Sequence, residues 1–304
     1  MCLHNHVNIN SKWKINDYAE NYLNRPDFKP SPVIMLDMSM IDTDSGILGL
    51  KNSLKQILLE TADNLQVDVP TNGYASDTFR NIIVQTSKKY NQKAVVLIDE
   101  YDAPYTDCVN DIVMASKVLY VLQNLYKQLK ANDRYIRFIF ITGISKFVRF
   151  GVFSTLNITT DISMKPRYAE MCGYTEEEII RYFPDYLDDT AKKMGISTDE
   201  LIIKMRDYYY GFCFDYALNA HLYNPFILSF FEYNNFADYW VETGSSKVIF
   251  GHMKNKKMTA EQFRNFPIPE GFASNPGDVD TTPLEGFLYQ CGYLTLSERR
   301  SGQL

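Results

Sequence analysis

The sequence predicts an α/β protein, with a parallel sheet in the first half of the chain and a mostly α-helical region after it. Three observations carry this. Short apolar runs without the polar alternation of a half-solvated strand recur at Pro32–Met38, Ala94–Ile98 and Arg137–Thr142. Stretches with amphipathic helical spacing separate them, giving the strand, helix, strand alternation of a parallel sheet. After about Asp161 the alternation stops, and the remaining periodic stretches are helical and rich in aromatic residues.

The first strand, PVIMLDM, ends in Asp37. Gly46–Leu65 carries Ile47, Leu48, Leu50, Leu54, Ile57, Leu58 and Leu65 at the spacing of an amphipathic helix, and Ser76–Tyr90 repeats the pattern more weakly. The second strand lies in KAVVLIDEYDAP, Lys93–Pro104; its unbroken apolar run fits a parallel strand covered on both faces, with its acids emerging at the carboxyl edge of the sheet. Ligands of open α/β sheets bind at that edge. Met114–Lys130 is helical again, and RFIFIT forms the third strand before the chain turns small and polar at Thr142-Gly143. The expected boundary lies near residue 170, with a sheet domain over 1–170 and a helical domain over 171–304. In the second half, Thr175 and Glu178 make a capping box for a helix running to Phe183, Ser197–Tyr210 reads as a helix, and Tyr223-Asn224-Pro225 opens another through Phe226, Leu228, Phe230 and Phe231. A proline-rich loop follows at Phe266–Pro283.

A chain of 304 residues with a net charge of -6 argues against a broad nucleic-acid-binding face. Its 14% aromatic content favours a packed body over disorder. Cys2, Cys108, Cys172, Cys213 and Cys291 contain no C-x-x-C pair, and a reduced, cytoplasmic setting is the simplest reading. Cys2, His4 and His6 sit together at the amino terminus, where a frayed end outweighs a metal site. No apolar run approaches the roughly 18 residues of a membrane helix, so no membrane partner is expected.

The chemistry concentrates after Ile98. In a nucleotide hydrolase, Asp99 at the end of such a strand helps hold Mg²⁺ and Glu100 polarises the attacking water. The phosphate-binding partner of that strand is a loop of the form G-x-x-x-x-G-K-[ST]; Gly46, Gly49 and Gly73 precede it here, and none leads into Lys-Ser or Lys-Thr. Thr142, at the tip of the next strand, suits a sensor of water or terminal phosphate, with Ser145 and Lys146 as alternatives. Arg149 and Arg167 follow, where a charge-stabilising arginine is useful. Two other readings stay open. Asp99, Glu100 and Asp102 also suit a solvated, capping loop, or a metal-dependent nuclease or phosphatase that needs no phosphate loop, although no PD followed by (D/E)-x-K is present.

Taken together, KAVVLIDEYDAP, FIFITGISKFVRFGVFSTLNITTDISMKPRYAEMCGYTEEEI, YYYGFCF, YNPFILSFF and YWVETG resemble the bacterial AAA-ATPase-like family, over about Pro32 to Leu296. The resemblance implies a P-loop ATPase core followed by a helical region, often with a restriction-endonuclease-like domain beyond. Carried over by position, it implies Asp99 as the acid on the Mg²⁺ side, Glu100 as the water-activating acid and Thr142 as sensor; the acidic cluster itself adds Asp102 beside Asp99 as a candidate for the ATP and Mg²⁺ site. It also implies that the P-loop strand lies outside this chain, that the chain ends near Gly292–Leu296 where the nuclease-like domain would begin, and that nucleic acid would be met only through that domain. Four or five large side chains left without that strand, at about 1.5 to 3 kcal/mol each, would match the roughly 5 to 15 kcal/mol stability of a whole domain. The chain by itself is therefore expected to be marginal and to have negligible ATPase activity. A non-catalytic module in which the helical half binds another protein is the alternative.

Overall fold

The computed structural model describes residues 29–109, 111–144, 158–239 and 284–297. They form two compact units: one runs from Lys29 to Thr160 and takes in residues 284–290, and the other starts at Asp161 and takes in residues 291–297.

The first unit is a three-stranded sheet covered by helices. Its elements are β1 (Val33–Asp37), α1 (Gly46–Asn64), α2 (Ala75–Tyr90), β2 (Ala94–Asp99), the single turn α3 (Ala103–Thr106), α4 (Ile112–Ala131) and β3 (Ile136–Ile141). The strands lie in the order β1, β2, β3, and both pairs are parallel. Helix ends are closed by side chains that the sequence supplies at those points. Asp111 accepts from the Met114 amide at 3.0 Å at the start of α4. Lys89 donates to the carbonyls of Leu65 and Gln66 beyond the end of α1.

Sheet register decides which side chains meet the helices. Ile34, Val96 and Ile139 share one row, and Leu36, Ile98 and Ile141 the next. Four of these six, Ile34, Leu36, Val96 and Ile98, are at most 1% exposed. They pack with Leu50, Leu54 and Leu58 of α1, Phe79, Ile82 and Ile83 of α2, and Val118, Leu122 and Leu125 of α4. The opposite face carries the rows Val33, Val95, Phe138 and Met35, Leu97, Phe140. There Val33, Met35 and Phe138 are 43, 50 and 54% exposed.

Among the described residues, α1, α2 and α4 cover one face, and the other leaves Val33, Met35 and Phe138 exposed. The general rule of right-handed β-strand, helix, β-strand crossovers accounts for it: two such crossovers stepping the same way along a sheet put their helices on the same side. An unbroken apolar run is equally compatible with one covered face and two, so the strands alone did not reveal this.

The second unit contains α5 (Glu176–Tyr182), α6 (Pro184–Met194), α7 (Thr198–Tyr209), β4 (Tyr210–Phe212), β5 (Leu222–Tyr223) and α8 (Ile227–Tyr233). The capping box forms as expected: the Glu178 amide donates to Thr175 and the Thr175 amide to Glu178. Pro225 precedes α8 instead of lying in its first turn, because Asn224 accepts from the Phe226 amide and forms a turn of its own. The antiparallel β4–β5 pair was not expected, since Tyr208-Tyr209-Tyr210 continues a helical pattern. The chain leaves α7 at Tyr209, whose buried phenol is bonded to Ala237. Thr295 adds to this hairpin, donating to the Gly211 carbonyl and accepting from the Cys213 amide, both at 2.9 Å. Helix α9 (Leu284–Gln290) belongs to the first unit.

Several expectations concern residues outside the described ones: the Cys2, His4 and His6 group, Ser145, Lys146 and Arg149, the blocks at 147–157 and Trp240–Gly244, and the loop Phe266–Pro283. No helix among the described residues is long and apolar enough to cross a membrane.

Candidate functional site

The carboxyl ends of β2 and β3 are stitched together. The Thr142 amide donates to the Ile98 carbonyl at 2.9 Å, and the Tyr101 amide donates back to the Thr142 carbonyl at 3.0 Å. The Thr142 hydroxyl donates to Oδ1 of Asp99. Asp99 and Thr142, chosen from separate strands of sequence, are therefore in direct contact.

Glu100 sits between the paired residues in a left-handed backbone conformation, φ 48°. That conformation costs a non-glycine residue about 1 to 2 kcal/mol. Its amide is bonded to Oδ1 of Asp99 at 3.0 Å. Because Ile98 and Tyr101 take the backbone bonds from Thr142, the Asp99-Glu100 step bulges out of the ladder, and the kink at Glu100 absorbs the bulge. Such outliers collect where a side chain must be aimed.

Asp102 has a different place. It is 1% exposed, and its Oδ1 accepts from the Ile144 amide at 3.1 Å. Beneath it, the fully buried Tyr126 donates to the Tyr101 carbonyl at 3.0 Å. Burial, aided by the nearby Asp102 charge, holds the Tyr126 phenol well above its ordinary value, so it stays a donor. Gly143 faces both residues: a Cβ there would lie 2.2 Å from Oδ1 of Asp102 and 2.5 Å from the Tyr101 ring. The turn after Thr142 requires glycine for this close approach, not for an unusual φ.

Sequence reasoning gave Asp37 no role, yet Asp37 is the register partner of Asp99. Both side chains emerge on the sheet face away from the helices, in the row beyond Met35 and Leu97. The Asp37 carboxylate also accepts from the amide and hydroxyl of Ser39, at 3.0 and 2.6 Å. The signal was present, since both strands run from four or five apolar residues straight into an aspartate. Arg167 lies in the second unit, over the Tyr168 ring at 5.9 Å.

The edge is strongly acidic. Among the described residues, its segments 37–45, 99–109, 111 and 142–144 contain Asp37, Asp42, Asp44, Asp99, Glu100, Asp102, Asp107 and Asp111 and no lysine or arginine, while Lys146 and Arg149 follow Ile144 in sequence. Such an edge attracts cations and repels a bare phosphate. Among the described residues no group of three or more histidine, cysteine or carboxylate side chains is gathered closely enough to hold a metal unaided. The hard oxygen donors of Asp99, Thr142 and Asp37 do suit Mg²⁺, which commonly takes one or two carboxylates and completes its shell with water and phosphate.

Fold and site define the class: an α/β protein with a parallel sheet whose chemistry-bearing side chains sit at the carboxyl edge. Residues 11–153 match the family described as predicted AAA-ATPase. The chain is also similar to an uncharacterized protein in the vnfD 5' region of Azotobacter chroococcum mcd 1, with 31% identity over 223 residues. That match takes in 72% of this chain but only 40% of the relative's length. No solved structure matches the chain.

Proposed function

We propose that this chain is the acid-bearing part of an ATPase of the AAA-ATPase-like family, with the carboxyl edge of its sheet as the site for Mg²⁺ and ATP. The observation that carries the reading is the contact between Thr142 and Asp99 at the tips of adjacent parallel strands, with Glu100 next to Asp99 in a left-handed turn. Asp99 orients the metal, which when bound supplies charge neutralisation to the phosphates. Glu100 accepts a proton from the attacking water. Thr142, whose hydroxyl already reports on Asp99, senses the terminal phosphate.

A P-loop supplied from outside the described residues completes this site. Two features support that. β3 has β2 as its sheet partner and no other among the described strands. A strand that precedes β1 in sequence and pairs with β3 would return to β1 by a right-handed crossover, and that crossover would lay its helix over the exposed rows of Val33, Met35 and Phe138. It would also bring phosphate-binding amides and a further lysine to an edge where Asp37, Asp99 and Glu100 gather negative charge. Without them the chain binds nucleotide weakly and turns over negligibly. Titration of a fluorescent ATP analogue with and without Mg²⁺, beside a malachite-green phosphate assay, tests this. Weak Mg²⁺-dependent binding with no turnover is expected; turnover by the chain alone that Glu100→Gln abolishes would refute the dependence on an outside P-loop, and absence of any nucleotide binding would refute the site.

The pairing of Asp37 with Asp99 favours one second reading, a metal-dependent phosphatase or nuclease whose carboxylates come from neighbouring strands. Mg²⁺ binding without nucleotide binding selects it.

A further inference from the structure

We propose that Asp102 is a positioning residue, which acts through the Ile144 amide to hold Thr142 and Glu100 in place, and is not itself a ligand of metal or nucleotide. This rests on the reading above only for the tasks of Glu100 and Thr142; the positioning itself follows from the geometry.

The chain leaving β2 and the chain leaving β3 are joined by three backbone-directed bonds. Two are the exchange around Thr142, and the third is the bond from the Ile144 amide to Oδ1 of Asp102. Asp102 thus replaces the backbone acceptor that the ladder lacks once the Asp99-Glu100 bulge has shifted the register. A carboxylate 1% exposed has no room for the water shell that Mg²⁺ keeps, and it points at an amide of its own chain. Gly143 lets the two segments close to this distance, and the Tyr126 hydroxyl fixes the Tyr101 carbonyl from below. Removing the Asp102 acceptor frees the end of β3, loosens Thr142 from Asp99, and removes the restraint on the left-handed turn at Glu100.

Amide hydrogen exchange on the full chain, without metal or nucleotide, tests the arrangement. Asp102→Ala is expected to speed exchange at Ile144 and Thr142 by about tenfold or more, because it leaves the Ile144 amide without its acceptor. Asp102→Asn keeps an oxygen at the same place and is expected to stay within about threefold of the parent, which a residue needed for its charge would not do. Gly143→Ala should reproduce the alanine effect by forcing Asp102 and Tyr101 aside. Unchanged exchange at 142–144 in Asp102→Ala would overturn the proposal. So would equal acceleration in Asp102→Asn, or a tenfold loss of Mg²⁺ affinity in Asp102→Asn with exchange unaltered. Since exchange is read without ligand, failure of the ATPase reading leaves this test standing.

Discussion

Asp37 and Asp99 are register partners at the ends of adjacent parallel strands, so two carboxylates leave the sheet side by side on the face away from α1, α2 and α4. Neighbouring strands lie about 4.8 Å apart, and two like charges at that spacing repel unless a cation lies between them. Asp37→Asn keeps the acceptor for Ser39 and removes one charge. Without Mg²⁺ it is expected to raise the unfolding free energy by up to about 1 kcal/mol, and the further stabilisation that Mg²⁺ gives the parent is expected to shrink. Urea unfolding with and without Mg²⁺ measures both. A variant less stable than the parent in the absence of metal contradicts the pairing.

Glu100 presents a conflict between stability and task. Glycine avoids the cost of a left-handed residue, about 1 to 2 kcal/mol, and gives back about 0.5 to 1 through its looser unfolded chain. Glu100→Gly is therefore expected to be neutral to about 1.5 kcal/mol more stable in urea, while removing the carboxylate proposed to accept the proton from water. Destabilisation by more than 1 kcal/mol would mean that the kink is not strained.

The two faces of the sheet should respond oppositely to substitution. Ile34→Ala and Ile98→Ala each open a hole under the helices and are expected to cost about 2 to 5 kcal/mol. Met35→Thr and Val33→Thr, on the exposed rows, should change stability by about 0.5 kcal/mol or less. Equal losses on both faces in denaturant titrations would show that the second face is covered in solution.

In the second unit, Arg206 forms a two-pronged ion pair with Glu176, and the Tyr223 hydroxyl donates to the same carboxylate at 2.8 Å. The Arg206 bond, ahead of that from Tyr223, holds the Glu176 carboxyl below its ordinary value. A depressed carboxyl contributes stability above the ordinary glutamate value near about 4.3, and that contribution is lost as pH falls through the depressed one. Since the Arg206 side chain is 50% exposed, solvent screening limits it to about 1 kcal/mol or less. Glu176→Gln should lower stability at pH 7 by that amount and flatten the acid limb of the stability curve. An unchanged acid limb removes Glu176 from this account.

Much of the first unit was legible because parallel strands and their crossover helices leave strong local signals. The apolar run before Asp99, the helical spacing of Leu50, Leu54 and Leu58, and the polar break at Thr142-Gly143 each lie within a dozen residues. The capping box at Thr175 and Glu178 was legible for the same reason. What escaped were relations between distant segments: the register of Asp37 against Asp99, the bond from Ile144 to Asp102 across 42 residues, and Thr295 against Gly211 across 84. The β4–β5 pair escaped because three consecutive tyrosines suit a helix as well as a strand, and the capture of Tyr209 by Ala237 ends α7 there.

From its order of residues alone, the chain determined that strands would alternate with helices and that Asp99, Glu100 and Thr142 would stand at strand ends, since burial period and strand termination are local properties. Only the folded sheet decided that Thr142 would touch Asp99, that Glu100 would take a left-handed turn while Asp102 was buried, and that α1, α2 and α4 would cover the same face. Those outcomes depend on register and on the hand of the crossovers, and both are set when segments far apart in sequence are brought into contact.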